Sequence, residues 1–165
     1  MVTDDIIAQG FGFISLVLGL STFYQKDDKK MKIVMVIFQF NHMVHFLLLG
    51  SIVSALSVLF AAIRTAVSIK TSSKKVAALF ILITLGSGIA LADNIWQLWS
   101  ILGAVIGTYS VFLLKGIQLR LGFLCGSICW LVNNILVGSI GGTLLEVSVI
   151  FMNLITIYRM YHNQK

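Results

Sequence analysis

Polar side chains recur at a step of three inside two apolar segments of this chain. One set consists of Gln39, His42 and His45, and a second set contains Trp130 and Asn133. In an α-helix this step places each set along one slanting face. Imidazole, indole and amide groups of this kind could hold a small polar or ring-shaped solute by hydrogen bonding and stacking. We therefore predict that these residues belong to a substrate-binding site.

The same polar groups have a second interpretation, which is that they only hydrogen-bond one helix to the next. Interhelical bonds of this kind in membranes average about 0.6 kcal/mol. Polar groups in apolar segments tend instead to face a cavity, and the two sets occupy matching positions of the internal repeat described below. The binding interpretation is favoured, and the packing interpretation is kept as its alternative.

Two charged residues, Arg64 and Glu146, also lie deep in apolar segments. An ionised side chain at the centre of a membrane helix costs about 3 kcal/mol, so each needs a partner, water or the interface. Arg64 could extend toward the cytoplasmic interface, balance Glu146, or bind an anionic substrate. Glu146 could serve as a proton-coupling carboxylate. Asn153 follows Glu146 by seven residues on the same helix face and joins the predicted substrate-binding set.

The composition indicates that lipid surrounds most of this chain. Of its 165 residues, 58% are hydrophobic and 11% are charged, and the mean hydropathy is +0.98. A water-soluble domain of this size carries far more polar surface. The opening stretch MVTDD lacks the basic region of a signal peptide, so we expect the first apolar segment to remain as a membrane span. The net charge of +6 comes from short basic runs between apolar segments and does not indicate nucleic-acid binding.

Several segments are apolar and long enough to cross a bilayer core of about 30 Å as helices. The predicted fold class is an all-α membrane protein with seven transmembrane helices. The connections predicted at Gly50–Ser51 and Asp93–Asn94 are very short, and the one at Gly138–Gly142 is little longer. The predicted spans are Ile6–Phe23, Ile33–Leu49, Ile52–Ile69, Val76–Ala92, Ile95–Leu114, Leu121–Val137 and Thr143–Met160.

The basic residues between these spans predict the orientation of the chain. Apart from Arg64, all of the 12 Lys and Arg residues lie in alternate connections and the C-terminal tail, on one side of the membrane. Basic connections stay in the cytoplasm, so we expect the N-terminus outside and the C-terminus in the cytoplasm. An added or missing span would scatter these charges over both sides, which supports the number of spans.

The first three and last three spans resemble each other at a fixed offset of 88 residues, from Ile52 to Ile140. Fixed-offset similarity indicates repeat architecture, here two triple-helix repeats, residues 6–70 and 95–160, joined by a linker helix, residues 76–92. A single linker helix makes the repeats parallel in a 3+1+3 arrangement, with the substrate site expected at their interface near mid-membrane. The matches include Gln9 with Gln97, Gly19 with Gly107, Lys32 with Arg120, and Gly50-Ser51-Ile52 with Gly138-Ser139-Ile140.

Any bending of these helices must come from glycine or unwound turns, because the chain has 14 Gly and no Pro. Gly19 and Gly107 occupy matching positions and are the predicted hinges. The pairs Gly103/Gly107 and Gly122/Gly126 also fit close helix packing, since small residues let two backbones approach each other.

The sequence lacks the common catalytic patterns. There is no Ser–His–Asp order, phosphate-binding loop or HExxH stretch, so we do not expect an enzyme. Cys125 and Cys129 with His42 and His45 would supply zinc-type ligands, but such spacings arise easily by chance. No metal or other cofactor is therefore predicted. The expected partners are a small polar solute and membrane lipids, and the oligomeric state, including a homo-oligomer, is left open.

The phrases HFLLLG, AAIRT, GSIGGTLLEVS and MNL resemble the YgjV-type bacterial inner membrane proteins. This resemblance covers nearly the whole chain, and GSIGGT followed by Glu146 is its most specific element. The family is in turn similar to the group of SWEET, PQ-loop, PnuC-type and KDEL-receptor proteins. The resemblance implies a bacterial inner-membrane location and a SWEET-like fold. It also implies alternating-access transport of a small polar solute, such as a sugar or vitamin-like molecule, by a facilitator or a proton-coupled protein.

SWEET-like proteins use Trp and Asn residues around their pocket, and the resemblance implies such roles for Trp130, Asn133 and Asn153. The chain departs from the PQ-loop pattern because the Pro-Gln hinge is missing, and Gly19 and Gly107 would replace it. The similarity to the KDEL receptor implies an alternative function, a non-transporting membrane receptor or scaffold.

Overall fold

The structure is a computed structural model that describes residues 2–48, 52–91, 95, 98–136 and 140–163. These residues form seven helices and no strand, which confirms the predicted all-α class. The helices are α1 Val2–Tyr24, α2 Asp28–Leu48, α3 Ile52–Lys70, α4 Lys74–Leu91, α5 Leu98–Leu113, α6 Gly116–Leu136 and α7 Ile140–His162.

The helix bounds follow the predicted spans to within a few residues, with the largest differences at the polar ends. α2 and α6 begin five residues before their predicted spans, at Asp28 and Gly116, because the basic stretches before each span are helical. α7 begins at Ile140, inside the stretch predicted to be a connection. The predicted turns at Gly50–Ser51 and Asp93–Asn94 lie outside the described residues.

Local capping explains where two helices begin. The Asp27 carboxylate accepts a 2.7 Å hydrogen bond from the backbone N–H of Lys30 and caps α2. Ser73 plays the same part for α4, with its hydroxyl 3.5 Å from the backbone nitrogen of Val76. Between α5 and α6 the chain reverses at Gly116, whose φ of 55° lies in the left-handed region that glycine adopts without strain.

The first of two compact units comprises residues 1–70 and contains α1, α2 and α3. α2 packs against both α1 and α3. Small and polar residues such as Ala8, Ser15, Thr22 and Thr65 are buried, whereas Phe13 is 72% exposed. Apolar side chains outside and small residues between helices are what lipid as a solvent favours.

The second unit comprises residues 71–165, in which α4 packs on α5, α5 on α6 and α6 on α7. The Phe80 and Phe112 rings stack at a centroid distance of 5.6 Å and join α4 to α5. The α5 and α6 backbones approach closely through glycines: a Cβ added to Gly126 would lie 3.5 Å from the carbonyl oxygen of Gly103. Gly19 of the first unit and Gly107 of the second are both buried.

Candidate functional site

In the first unit, a network of polar side chains joins α1 to α2. The Asn41 amide donates two hydrogen bonds to α1, at 2.8 Å to the carbonyl oxygen of Phe11 and at 2.9 Å to the Ser15 hydroxyl. The His42 Nδ1 atom lies 3.1 Å from the same hydroxyl. The His45 Nδ1 atom lies 2.8 Å from the carbonyl oxygen of Ala8. We call Ser15, Asn41, His42 and His45 the α1–α2 polar seam.

The contact of His45 with a carbonyl oxygen determines where the proton of that imidazole lies. A carbonyl oxygen only accepts, so His45 carries its proton on Nδ1 and, when neutral, has its lone pair on Nε2. The Ser15 hydroxyl accepts from Asn41 and can still either donate to His42 Nδ1 or accept from it, so this contact is compatible with both neutral tautomers of His42.

The rings of the seam are stacked along α2. The centroids of Phe38 and His42 are 5.3 Å apart, and those of His42 and His45 are 5.6 Å apart. Gly12 lies against the end of this stack, because a Cβ there would be 3.2 Å from His45 Cε1. The stack holds the imidazoles in one orientation. Glycine at position 12 leaves room for the His45 ring.

Gln39 lies outside the seam and is buried, with 7% of its surface exposed. Its Oε1 atom has no hydrogen-bond partner among the described residues. Lys32, seven residues earlier on the same face of α2, donates at 3.1 Å to the carbonyl oxygen of Ser68 on α3. The amide of Gln39 is therefore placed on the side of α2 that packs against α3.

Arg64 lies on α3, one turn before Ser68, and is half-buried. Thr65 beside it is 1% exposed and donates at 2.8 Å to the carbonyl oxygen of Ala61 in its own helix. The pairing of Arg64 with Glu146 stays a prediction.

In the second unit, Trp130 of α6 lies directly over Gly103 of α5. A Cβ on Gly103 would lie 2.8 Å from the indole Cδ1 atom, so only glycine leaves space for the ring. Trp130 is 37% exposed, and Asn133, one turn later, is half-buried. In the first unit, the residues at the same offset are Ser15 and His42, which also contact each other.

A second polar contact of this unit joins α6 to α7. The Asn153 amide donates at 2.7 Å to the backbone carbonyl of Arg120. Because only the amide nitrogen can donate to a carbonyl, the other atom is the oxygen Oδ1, and it has no hydrogen-bond partner among the described residues. Asn153 is 1% exposed and Arg120 is 0% exposed.

Two turns from this contact, Ser127 of α6 and Glu146 of α7 form another one. The Ser127 hydroxyl hydrogen-bonds the Glu146 carboxyl. Ser127 is buried, and Glu146 is half-buried. The Arg120–Asn153 and Ser127–Glu146 contacts have the same antiparallel register, since each step of seven along α6 matches a step of seven back along α7. They form a ladder of polar contacts between these two helices.

Comparison with known proteins identifies the family of this chain. The sequence matches the Imp-YgjV family, described as a bacterial inner membrane protein, over residues 6–164. The chain belongs to the YgjV family of bacterial inner membrane proteins. It is 35% identical to the inner membrane protein YgjV of Escherichia coli (strain K12) over 159 residues, which cover 96% of this chain and 87% of that protein. No solved structure matches the chain.

This YgjV-family protein is therefore a multi-pass protein of the bacterial inner membrane, as predicted. Two stretches of the described helices are long and apolar enough by themselves to cross a membrane, Gly116–Asn133 and Thr143–His162. Within the described residues, His, Cys, Asp and Glu side chains form no group of three that could hold a metal ion. Cys125 and Cys129 are free thiols, one exposed and one buried.

Sequence reasoning missed three residues of these networks. Asn41 falls outside the step of three and carried no signal of its own. Lys32 and Arg120 were assigned to basic connections, but in this YgjV-family chain they lie inside α2 and α6, with 9% and 0% of their surfaces exposed. The sequence did contain a signal that these two cations are structural, because they match each other at the offset of 88 residues. A repeat has little reason to retain a cation in a freely solvated loop.

Proposed function

We propose that this protein moves a small polar solute, such as a sugar or vitamin-like molecule, across the inner membrane by alternating access without chemically converting it. The observation that carries the proposal is a pair of buried amide oxygens, Oε1 of Gln39 and Oδ1 of Asn153, with no hydrogen-bond partner among the described residues. Both residues belong to the predicted substrate-binding set. Hydroxyl or N–H groups of a solute would supply the missing donors.

The energetic cost of these amide oxygens supports a functional role. A buried acceptor without a donor costs about 1–3 kcal/mol, and the hydrocarbon core offers no water to relieve it. A hydrophobic side chain of similar size would avoid that cost. Polar groups that are retained at such a cost are typical of binding sites.

We also propose that the chain is a duplicated triple helix, with residues 6–70 and 95–160 as repeats and residues 76–92 as a linker. Helix bounds support this, since α2 begins at Asp28 and α6 begins at Gly116, which are 88 residues apart. Buried residues support it too. The matched pairs that are buried in both units include Thr22 with Ser110, Phe23 with Val111, Met31 with Leu119, Lys32 with Arg120, Gln39 with Ser127, Thr65 with Asn153, and Ser68 with Thr156.

The proposed topology places the N-terminus outside and the C-terminus in the cytoplasm, as in SWEET-like proteins. Its support is the charge asymmetry of the connections. A fluorescent protein fused after Lys165 should fold and fluoresce, and alkaline phosphatase at the same point should be inactive. An active phosphatase fusion at the C-terminus would contradict this orientation.

Within this proposal, His42, His45, Trp130 and Asn133 are further substrate-binding residues. Gly19 and Gly107 act as hinges at matching, buried positions. Glu146, which hydrogen-bonds Ser127, is the proposed proton-coupling carboxylate, and Arg64 is a second proposed charge or coupling residue. These roles predict that the coupling of solute uptake to protons or to charge movement requires an ionisable carboxyl at Glu146. The Glu146→Gln variant should therefore retain solute binding and lose this coupling.

One observation favours the alternative function, a membrane receptor or scaffold that does not transport. The Asn41, His42 and His45 side chains of the α1–α2 polar seam bond to α1 within the unit itself. This satisfied arrangement is what a closed, static core would have. If the seam is purely structural, its variants will lower stability without affecting any solute response.

A thermal-shift screen of purified protein tests the proposal. The screen covers sugars, vitamins, nucleosides and amino acids, because a ligand that binds the folded state raises the melting temperature. We expect at least one class to raise it in the natural sequence and not in Gln39→Leu. Gln118→Leu, which alters an exposed glutamine of α6, is the matched control and should respond normally. A response that survives both Gln39→Leu and Asn153→Ala would contradict the assigned site.

A further inference from the structure

We propose that Lys74 and Lys75 bind the phosphate group of an anionic phospholipid, whose acyl chain lies along the exposed apolar face of α4. This lipid-binding surface belongs to the second unit alone. It goes beyond the proposed function, because it concerns the membrane around the protein and does not depend on the solute that the protein would move.

The positive charge of this surface comes from the two lysines that begin α4. Lys74 and Lys75 are both exposed, and the first turn of the helix contains no acidic residue. The acidic residue nearest to them along the chain is Asp93, which follows the opposite end of α4. Cations in the first turn of a helix are unfavourable, because the backbone N–H groups there already carry a partial positive charge. An anion from outside the chain would offset this charge.

A third lysine lies at the same end of the second unit. α5 packs antiparallel to α4, and the stacked rings of Phe80 and Phe112 join the two helices near this end. Lys115 follows the last residue of α5 by two positions and is exposed. The end of the unit at which α4 begins therefore presents three exposed lysines to a negatively charged partner.

The exposed face of α4 continues from these cations as an apolar surface. Leu79, Leu82 and Ile89 follow Lys75 at steps of four, three and seven residues, which places all of them on one face of the helix. All three apolar side chains are exposed. A cation followed along a helix by apolar side chains matches a phospholipid, in which a charged phosphate precedes the acyl chains. Lysines near a membrane surface attract anionic headgroups, so the partner is an anionic phospholipid.

The first unit has a similar apolar face without the same charge. Lys29 and Lys30 are exposed in the first turn of α2. The exposed apolar residues that follow them are Ile33, Ile37 and Phe40. Asp27 and Asp28 precede these two lysines, and the Asp27 carboxylate accepts from the backbone N–H of Lys30. At the offset of 88 residues the counterpart of Asp27 is Lys115. The first unit thus supplies its own anions at this position, and it provides the matched control.

Nanodiscs of two compositions test the proposal. Purified protein is placed in dioleoyl phosphatidylcholine, or in the same lipid with about a third replaced by dioleoyl phosphatidylglycerol, at constant ionic strength. We expect phosphatidylglycerol to raise the melting temperature by about 5 °C, because a ligand of the folded state stabilises it. The rise should shrink at about 1 M salt, which screens exposed charges. Equal melting temperatures in the two nanodiscs would overturn the proposal.

Paired substitutions assign the effect to the two lysines. The double variant Lys74→Gln with Lys75→Gln should lose most of the rise, although it should be at least as stable as the natural sequence in phosphatidylcholine alone. Lys74→Arg with Lys75→Arg should keep the rise. The control, Lys29→Gln with Lys30→Gln, removes the same charge from the first unit and should also keep it.

Two outcomes of this series would contradict the site. If Lys74 and Lys75 only orient the chain in the membrane, their replacement by glutamine will leave the full rise in place. If both glutamine double variants lose the rise equally, the attraction is general to the basic residues of the protein.

A soluble headgroup distinguishes a lipid from free phosphate. Glycerol phosphate at about 10 mM, added to phosphatidylcholine nanodiscs, carries the phosphate without acyl chains and should leave the melting temperature unchanged. A rise equal to that given by phosphatidylglycerol would show that the apolar face of α4 takes no part, and it would overturn the assignment to a lipid.

Discussion

At the scale of single residues, the polar side chains of this protein fall into two classes. Some hydrogen-bond one helix to the next, and others have unused hydrogen-bonding capacity. Asn41 and His45 bond to carbonyl oxygens of α1 and contribute to packing. Gln39 and Asn153 are as well buried as core residues, but one oxygen of each has no donor within the described part of the chain. Such an oxygen lowers stability, so the two classes should respond to substitution in opposite directions.

Replacement of Gln39 by leucine should stabilise the protein. The substitution removes a buried acceptor that has no donor and fills nearly the same volume, so we expect a gain of about 1 kcal/mol. Thermal or denaturant unfolding in detergent measures it. Gln118→Leu on the exposed surface should change stability by less than about 0.5 kcal/mol. A clear loss of stability in Gln39→Leu would show that Gln39 is a structural residue.

Replacement of Asn41 by leucine should destabilise the protein. It removes two hydrogen bonds and leaves Ser15 without its donor, which together cost about 1–2 kcal/mol. Ser87→Ala is a suitable control, because Ser87 is exposed and its hydroxyl bonds only within α4 in the described contacts. If both variants unfold at the same temperature, the seam contributes nothing to stability.

At the scale of helices, the second unit is held together by backbone proximity between α5 and α6. Gly126 lies against Gly103 and Gly107, and Gly122 faces Ser110, so the two helices approach closely along this interface. In lipid the hydrophobic effect does not drive helices together, and van der Waals contact between small residues takes its place. Gly103 additionally creates the space that Trp130 fills, which couples helix packing to a predicted binding residue.

Replacement of Gly122 by alanine should separate α5 from α6. An added methyl group would lie 2.9 Å from the Ser110 Cβ atom, whose position is determined by the backbone, so we expect a loss of about 1–3 kcal/mol. Gly86→Ala in α4 is the matched control. Nothing lies within 4 Å of its added methyl, so it should be neutral or slightly stabilising through helix propensity. An equally stable Gly122→Ala protein would refute close packing at this contact.

At the scale of the whole molecule, the proposed duplication explains why Gln39 Oε1 has no donor among the described residues, whereas its counterpart Ser127 is hydrogen-bonded. In the second unit Ser127 bonds Glu146. At the offset of 88 residues the corresponding pair is Gln39 and Val58, and valine offers no hydrogen-bonding group. The first unit thus keeps the polar residue on its second helix and has lost the partner on its third.

Restoring that partner tests the duplication. Val58→Thr is nearly isosteric and places a hydroxyl opposite Gln39, so it should stabilise the protein by about 0.5–1 kcal/mol. The gain should vanish in the Gln39→Leu background, because a double-mutant cycle isolates the pair. A gain that persists without Gln39, or a loss of stability in the single variant, would contradict the equivalence of the two pairs.

The amino-acid sequence by itself determined the class of this protein, its helices and its polar positions. These properties follow from composition, from runs of apolar residues and from the helical period, all of which are local and depend on the surrounding solvent. The prediction of His42, Gln39 and Asn153 as polar residues within apolar helices required no knowledge of their neighbours.

Only the tertiary structure decided which of these residues are satisfied. The partners of Asn41, His45 and Asn153 lie 26 to 37 residues away along the chain, and they meet through the register of antiparallel helices. A shift of one residue in that register would rotate each side chain by about 100° and change its partner. Helix packing distinguishes the bonded Asn41 from the Gln39 oxygen that lacks a donor, because packing alone determines what stands opposite each side chain.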